Sequence, residues 1–178
     1  MNELSENFFT VTKKPEGTYK RNRIFMILGY IVFGLAYFFG LFAAHLYVLI
    51  AFIVLLEWIL IFFTWRYVSI EYKYDIESST VRFYEIYGGK KQKEKFEWHI
   101  KDFDTIAPLD DTVRSEIKNG VYKTVNIFLS STNSPDGYYA TYIDKNGENG
   151  IVCFDGSQKT LKLFKYYNSK TVIVPTRL

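Results

Sequence analysis

Two kinds of hydrophobic pattern follow one another along the chain, and the change falls at Arg66. Ile24 to Ala44 is apolar and free of formal charge, His45 interrupts it, and Leu46 to Trp65 is apolar again around one charge, Glu57. A helix needs about 20 apolar residues to cross a hydrocarbon core of roughly 30 Å, and each run supplies about that many. The connection around Ala43–Leu46 is too short to span anything, so the pattern predicts two antiparallel transmembrane helices. A buried soluble hairpin would need an apolar shell that the polar remainder does not offer. A cleaved signal peptide would carry a shorter apolar run followed by a small-x-small site. Neither is expected.

Beyond Arg66 the period becomes two. In "YVSIEYKYD", Val68, Ile70, Tyr72 and Tyr74 alternate with polar residues, the mark of a half-buried strand. "DIESS" reads as a turn, "TVRFYEIY" as a second strand, and "GGKK" as a turn into "QKEKFEW", which together make a meander. "FDTIAPL" is a short strand stopped by Pro108, and "KTVNIFLSS" alternates Val125, Ile127 and Leu129. "YYATYID" and "GIVCF" flank Asn146-Gly147, a strong hairpin signal. "DGSQKTLKLFKYY" then reads as a helix capped by Asp155 or Ser157, with Leu161, Phe164 and Tyr167 on one face. The expected division is a cytoplasmic segment at 1–23, a two-helix transmembrane hairpin at 24–65 and a cytoplasmic β domain at 66–178.

About seven short antiparallel strands and a terminal helix that plugs an open end resemble the pleckstrin-homology-like fold. The hairpin 24–65, "YVSIEYKYDI", "VRFYEIYGGKKQKEKFEW", "KDFDTIAPLDD" and the terminal helix together resemble bacterial membrane proteins in which a two-helix hairpin precedes a bacterial PH-like domain. The resemblance implies a PH-like barrel with a C-terminal capping helix. It also implies binding of lipid, peptide or protein rather than catalysis, and brings no catalytic residues.

Charge adds orientation. The net +3 divides into +2 for residues 1–23, −1 for the apolar block and +2 for the rest, which gives no argument for nucleic acid. Lys13, Lys14, Lys20, Arg21 and Arg23 precede the first apolar run and Arg66 follows the second, while the turn carries only His45. Basic flanks stay inside, so both termini and the β domain are expected in the cytoplasm. Trp65 and Tyr67 stand where inner interface anchors belong, and Tyr47 stands near the outer turn. The single cysteine, Cys153, and the lack of an Asn-x-Ser/Thr acceptor fit a reducing compartment.

Glu57 falls about twelve residues past the turn, roughly 18 Å down the second helix and near the bilayer midplane. The matching depth on the first helix carries Phe33 and Gly34, and Tyr30 and Tyr37 share the helical face of Gly34. Glu57 therefore reads as a neutral acid that ties helices or protomers together by hydrogen bonds, with Tyr30 or Tyr37 as donor. The alternative is a proton or partner site. Ala36, Gly40 and Ala44 recur at spacings of four and suit close helix packing. Lys90, Lys91, Lys93 and Lys95 form a basic row suited to anionic lipid, although the exposed face of a solvated hairpin would look the same.

Little else resembles chemistry. His45 and His99 fall on opposite sides of the membrane, no Cys/His cluster has zinc spacing, and "GGKK" lacks the residues of a phosphate loop. "DKNGE" lacks the repeated acids of a calcium loop. Asp102, Asp104, Asp110 and Asp111 form an acidic cluster that reads as a solvated loop, and Cys153 reads as core. No cofactor or metal is expected. The sequence reads as a non-enzymatic membrane protein, an interaction or scaffold module at the inner face, whose partners are the bilayer and a protein or second copy. An accessory subunit of a transporter or channel, working through Glu57, is the first alternative. A membrane-bound metal enzyme using the acidic cluster is a weaker one.

Overall fold

The computed structural model describes residues 8–173, and the chain divides into two compact units. Residues 14–70 and 87–91 form one; residues 71–86 and 92–173, with the stretch before Lys14, form the other.

The first unit is the helical hairpin. Helix α1 (Gly17–Ala43) begins seven residues before the apolar run, because nothing between Glu16 and Ile24 breaks a helix. Its length is about 40 Å at 1.5 Å per residue. His45, at φ 58°, reverses the chain. The return runs through α2 (Tyr47–Ile50), a turn at 51–52, α3 (Ile53–Thr64) and a 3₁₀ turn (Trp65–Val68). Gly17–Ala43 and Tyr47–Val68 are both long and apolar enough to cross a membrane, and almost none of their residues is buried. Helices serving as a soluble core would hide these side chains, and here Phe25, Val32, Val48 and Val54 stand open.

The second unit is mainly β. Among the described residues it holds eight strands in two four-stranded sheets rather than seven strands in a closed barrel. The first sheet has the order β1 (Phe8–Thr12), β2 (Ile70–Glu77), β3 (Thr80–Tyr87), β4 (Lys91–His99). The expected meander is its last three strands. The added strand comes from the segment before the hairpin and pairs antiparallel with β2, Phe9 opposite Tyr74 and Val11 opposite Tyr72.

The second sheet has the order β5 (Phe103–Pro108), β7 (Gly137–Ile143), β8 (Asn149–Asp155), β6 (Thr124–Phe128). The expected β7–β8 hairpin forms around Asn146-Gly147, with Gly147 at φ 79° and the Asp144 carboxylate accepting from Asn146 N and Glu148 N. The strands are not all antiparallel, because β6 pairs parallel with β8. In an up-and-down series β6 and β8 run the same way. With β5 on the other edge of β7, the place left for β6 is beside β8. A helix that strand periodicity did not predict, α4 (Asp111–Lys118), links β5 to β6, capped by Asp110, whose carboxylate accepts from Val113 N at 2.9 Å.

Aromatic side chains fill the space between the sheets. Phe83 stacks on Phe128 at 4.9 Å, and Tyr72, Tyr74 and Phe154 surround them, all nearly or fully buried. Tyr74 ties the sheets together: its hydroxyl donates to Phe128 O at 2.5 Å and accepts from Asp155 N at 3.3 Å. Burial pushes its phenol well above the ordinary range. Helix α5 (Gln158–Tyr167) is capped by Ser157, which accepts from Thr160 N, and docks through Leu161 and Phe164, with Phe164 edge-on to Phe154 at 5.3 Å.

Candidate functional site

Three regions gather polar or chargeable groups: the face between the two long helices, the basic end of the hairpin, and a groove in the β unit.

Between the helices, three contacts succeed one another. Tyr37 Oη donates to Leu49 O at 3.0 Å. Glu57 lies against Gly34, the one buried residue of α1, so that a methyl group built at position 34 would stand 3.1 Å from Glu57 Cδ and nearer still to its Oε1. Tyr30 Oη meets Thr64 Oγ1 at 2.7 Å, and since Thr64 gives its own proton to Leu60 O at 2.5 Å, the tyrosine is the donor. Residues 30, 34 and 37 repeat at i, i+4, i+7 and form one helical face.

The expected juxtaposition of Glu57 and Gly34 is present, but neither Tyr30 nor Tyr37 bonds to the carboxylate. Each lies about one turn from Gly34 along α1 and finds a nearer acceptor on the return helix, Thr64 and Leu49 respectively. Among the described residues the Glu57 carboxyl has no hydrogen-bond partner. Ala36, Gly40 and Ala44 do not make the hairpin contact. All three are exposed, and a methyl group on Gly40 would meet nothing within 4 Å. At 100° per residue Ala36 and Gly40 are turned roughly 130° and 90° from the contacting face.

At the other end of the hairpin, the turn between β3 and β4 belongs to the helical unit. Gly88 N donates to Ser69 O at 2.8 Å, and a Cβ at Gly88 would stand 2.6 Å from Arg66 Cβ. Gly88 and Gly89 both take positive φ, 59° and 69°. Tyr19 Oη donates to Val68 O and accepts from Ile70 N at 3.2 Å. Cations here meet rings rather than acids: Arg23 over Trp65 at 5.0 Å, Arg66 over Tyr67 at 5.0 Å, Lys90 over Phe62 at 5.7 Å. Among the described residues, Lys20, Arg21, Arg23, Arg66, Lys90 and Lys91 form no salt bridge. In the β unit, by contrast, Arg82 joins Glu77 and Glu97, and Lys95 joins Glu85 at 2.8 Å. The predicted lysine row thus divides. Lys90 and Lys91 join the hairpin's cations, Lys93 is exposed on β4, and Lys95 is held in an ion pair.

The groove, about 750 Å³, opens in the β unit. Phe9 and Val11 of β1 make one wall; Gln158, Leu161, Lys162 and Lys165 of α5 make the other. Pro108 and Tyr138 line it from the second sheet, and Asp136 and Asp155 from its loop and strand ends. Asp155 is 3% exposed; its Oδ2 accepts from Ser130 N at 2.6 Å, and its Oδ1 is buried with no partner among the described residues.

A family model described as Bacterial PH-like domain (DUF6106) matches residues 6–174. The chain belongs to that family. The match runs through the two apolar helices as well as the β unit, so the PH-like family pattern includes the hairpin. No curated protein and no solved structure matches the chain.

Several of the remaining candidates of this PH-like protein have structural partners. Asp110 caps α4, and Asp111 lies 3.8 Å from Arg114. No group of acids, histidines and cysteines fit to hold a metal occurs among the described residues. His45 bonds Tyr47 Oη, and His99 Nδ1 bonds Thr80 Oγ1, both at 2.8 Å. Cys153 is buried in β8, and that burial pushes its thiol up to about 12, with Arg114 opposing. Sequence reasoning missed β1, although "FFTVT" alternates Phe9 and Val11 with threonines before Lys13-Lys14-Pro15. Five residues beside a charged segment carry little weight until a partner strand is known.

Proposed function

We propose that this PH-like protein is an integral membrane protein whose β module acts as a non-catalytic interaction or scaffold element at the inner face of the cell membrane. The observation that carries the reading is the β1–β2 ladder. β1 precedes the first apolar helix, β2 follows the second, and they pair residue for residue from Phe8–Asp75 to Thr12–Glu71. Two segments in one ladder lie on one side of a bilayer, which supports an even number of crossings between them. The uncompensated cations at the hairpin's base support the cytoplasm as that side. Their aromatic neighbours support contact with anionic headgroups, each cation adding about 1 kcal/mol near such a surface.

Gentle detergent extraction of the tagged full chain, affinity capture and identification of co-purifying proteins tests the role. A scaffold retains a reproducible partner that depends on the β module. A chain that captures nothing beyond its hairpin-only control would reject it. A second reading, an accessory subunit of a transporter or channel, draws on Glu57, a membrane-depth carboxyl without a hydrogen-bond partner among the described residues. It predicts that Glu57→Gln abolishes the partner's transport. The scaffold reading predicts that the substitution leaves partner capture intact.

A further inference from the structure

We infer that the groove between β1 and α5 takes an extended peptide segment of a partner protein, added as a strand to the open edge of β1, with alternating apolar and acidic side chains. The inference deepens the interaction reading above and rests on it.

The first argument is an edge that no described residue covers. β1 is the terminal strand of its sheet. Its five residues, Phe-Phe-Thr-Val-Thr, contain no charge and no proline, the usual protections of a free edge. The opposite edge of that sheet, β4, carries Lys91, Lys93, Glu94 and Lys95 in its first five residues. The β5 edge of the second sheet is covered by the chain itself: Ile106 N donates to Thr171 O at 2.9 Å, and Ile173 N donates to Ile106 O at 2.8 Å. In a strand paired on one side only, alternate N–H and C=O groups point away from the neighbour and await a partner.

The second argument is side-chain cover. Phe9 and Val11 face the same way as Tyr74 and Tyr72, their register partners. Both tyrosines are fully buried, whereas Phe9 and Val11 are only partly so. An inward-facing apolar residue on a terminal strand is covered by the next strand in a closed barrel. Here the groove occupies that place and separates β1 from the end of β5 at Pro108. A strand wall facing a helix wall is the shape in which extended peptides add to a sheet, with backbone bonds giving affinity and alternate side chains giving specificity.

The third argument is charge. Lys162 and Lys165 stand exposed on the helix wall and form no salt bridge among the described residues. Asp155 offers a ligand no direct contact through its carboxylate, because its Oδ2 accepts from Ser130 N and its Oδ1 is buried. Asp136, at the loop end, confines the acidic preference to the helix side. A peptide with apolar residues directed at Phe9, Val11 and Leu161 and acidic residues at the two lysines matches both walls.

The test uses the full chain in detergent and two labelled peptides of about ten residues, alternating Val-Glu and alternating Val-Lys. Fluorescence anisotropy should show the Val-Glu peptide binding at least about tenfold more tightly than the Val-Lys peptide. The double substitution Lys162→Glu with Lys165→Glu should reverse that order, and Val11→Lys should remove binding of the preferred peptide. Hydrogen exchange should show added protection on β1 in the complex. Absence of Val-Glu binding, equal binding of both peptides, or no reversal in the double variant overturns the proposal. A chain that proves dimeric, and becomes monomeric with Val11→Lys, shows a second copy on the β1 edge and also overturns it. Failure of the groove is distinguishable from failure of the interaction reading. If captured cellular partners depend on the β module but stay equally bound to Val11→Lys, the groove falls alone; if no partner depends on the module, both fall.

Discussion

Glu57 fits into the notch that Gly34 leaves in the opposite helix. The contact is with the far end of a flexible side chain, with Cδ 3.1 Å from where a methyl at position 34 would stand. In a helix, Gly→Ala normally gains up to about 1 kcal/mol of propensity. With Glu57 present that gain should be lost, because the carboxyl must leave its place. In a Glu57→Ala background it should reappear. A double-mutant cycle on unfolding of the full chain in detergent should give a coupling of at least about 1 kcal/mol. Additive effects would show that the two residues do not share space.

The proposed topology draws on the β1–β2 pairing and the basic flanks. Single cysteines introduced at Thr10, His45 and Tyr166 in a Cys153→Ala chain should divide two ways in intact cells. The turn position should label with a membrane-impermeant maleimide, and the other two only after lysis. Outside labelling at Thr10 or Tyr166 refutes the arrangement.

Gly88 and Gly89 share a left-handed backbone, but only Gly88 has a neighbour in the way of a side chain. Gly89→Ala should cost about 1–2 kcal/mol for the backbone conformation alone. Gly88→Ala adds a 2.6 Å encounter with Arg66 Cβ and should cost at least about 1 kcal/mol more. Melting of the two variants in the same detergent compares them. Equal losses would mean that the turn does not press on Arg66.

The hairpin's cations should hold anionic lipid more than the β4 lysines do. In micelles containing phosphatidylglycerol, native mass spectrometry of Arg66→Gln with Lys90→Gln should show severalfold less lipid retained than the unmodified chain. Lys93→Gln with Lys95→Gln should change little, because Lys95 already belongs to Glu85. The reverse order would return the lipid contact to the strand.

Alkali should weaken the β unit before Cys153 and Tyr122 ionise within the folded chain. Burial raises the Cys153 thiol from the ordinary 9.0 to about 12. Burial, with the hydrogen bond to Glu116, raises the Tyr122 phenol from 10.0 to about 12. The folded chain keeps these protons while the unfolded chain releases them. Stability is therefore complete below the unfolded values and falls as pH rises from about 9 toward 12. Urea midpoints across that interval should decline, less steeply after Cys153→Ala, and Cys153 should resist thiol reagents until the protein unfolds. A flat profile would contradict the burial.

What the sequence determined by itself was near-neighbour in character. Two apolar runs of helix-spanning length, the alternation in "YVSIEYKYD", the turn at Asn146-Gly147 and a helix cap at Asp155 or Ser157 are legible because each depends on residues a few positions apart. The depth match of Gly34 with Glu57 was also legible, since two helices joined by a tight turn keep their registers close.

Tertiary structure decided the pairings between distant segments. Phe8–Thr12 becomes a strand only because β2, some 60 residues later, offers an edge. β6 lies parallel to β8 because β5 took the other edge of β7. Tyr30 and Tyr37 chose Thr64 and Leu49 over Glu57 because a hydroxyl reaches the nearest acceptor, and which one is nearest depends on how two helices are rotated against each other. The groove belongs to the same class: its walls are 150 residues apart in the chain, and only the open side of the two sheets brings Phe9 and Val11 to face Leu161. Periodicity records which residues seek cover. What covers them is settled by competition among edges and faces, which no local pattern contains.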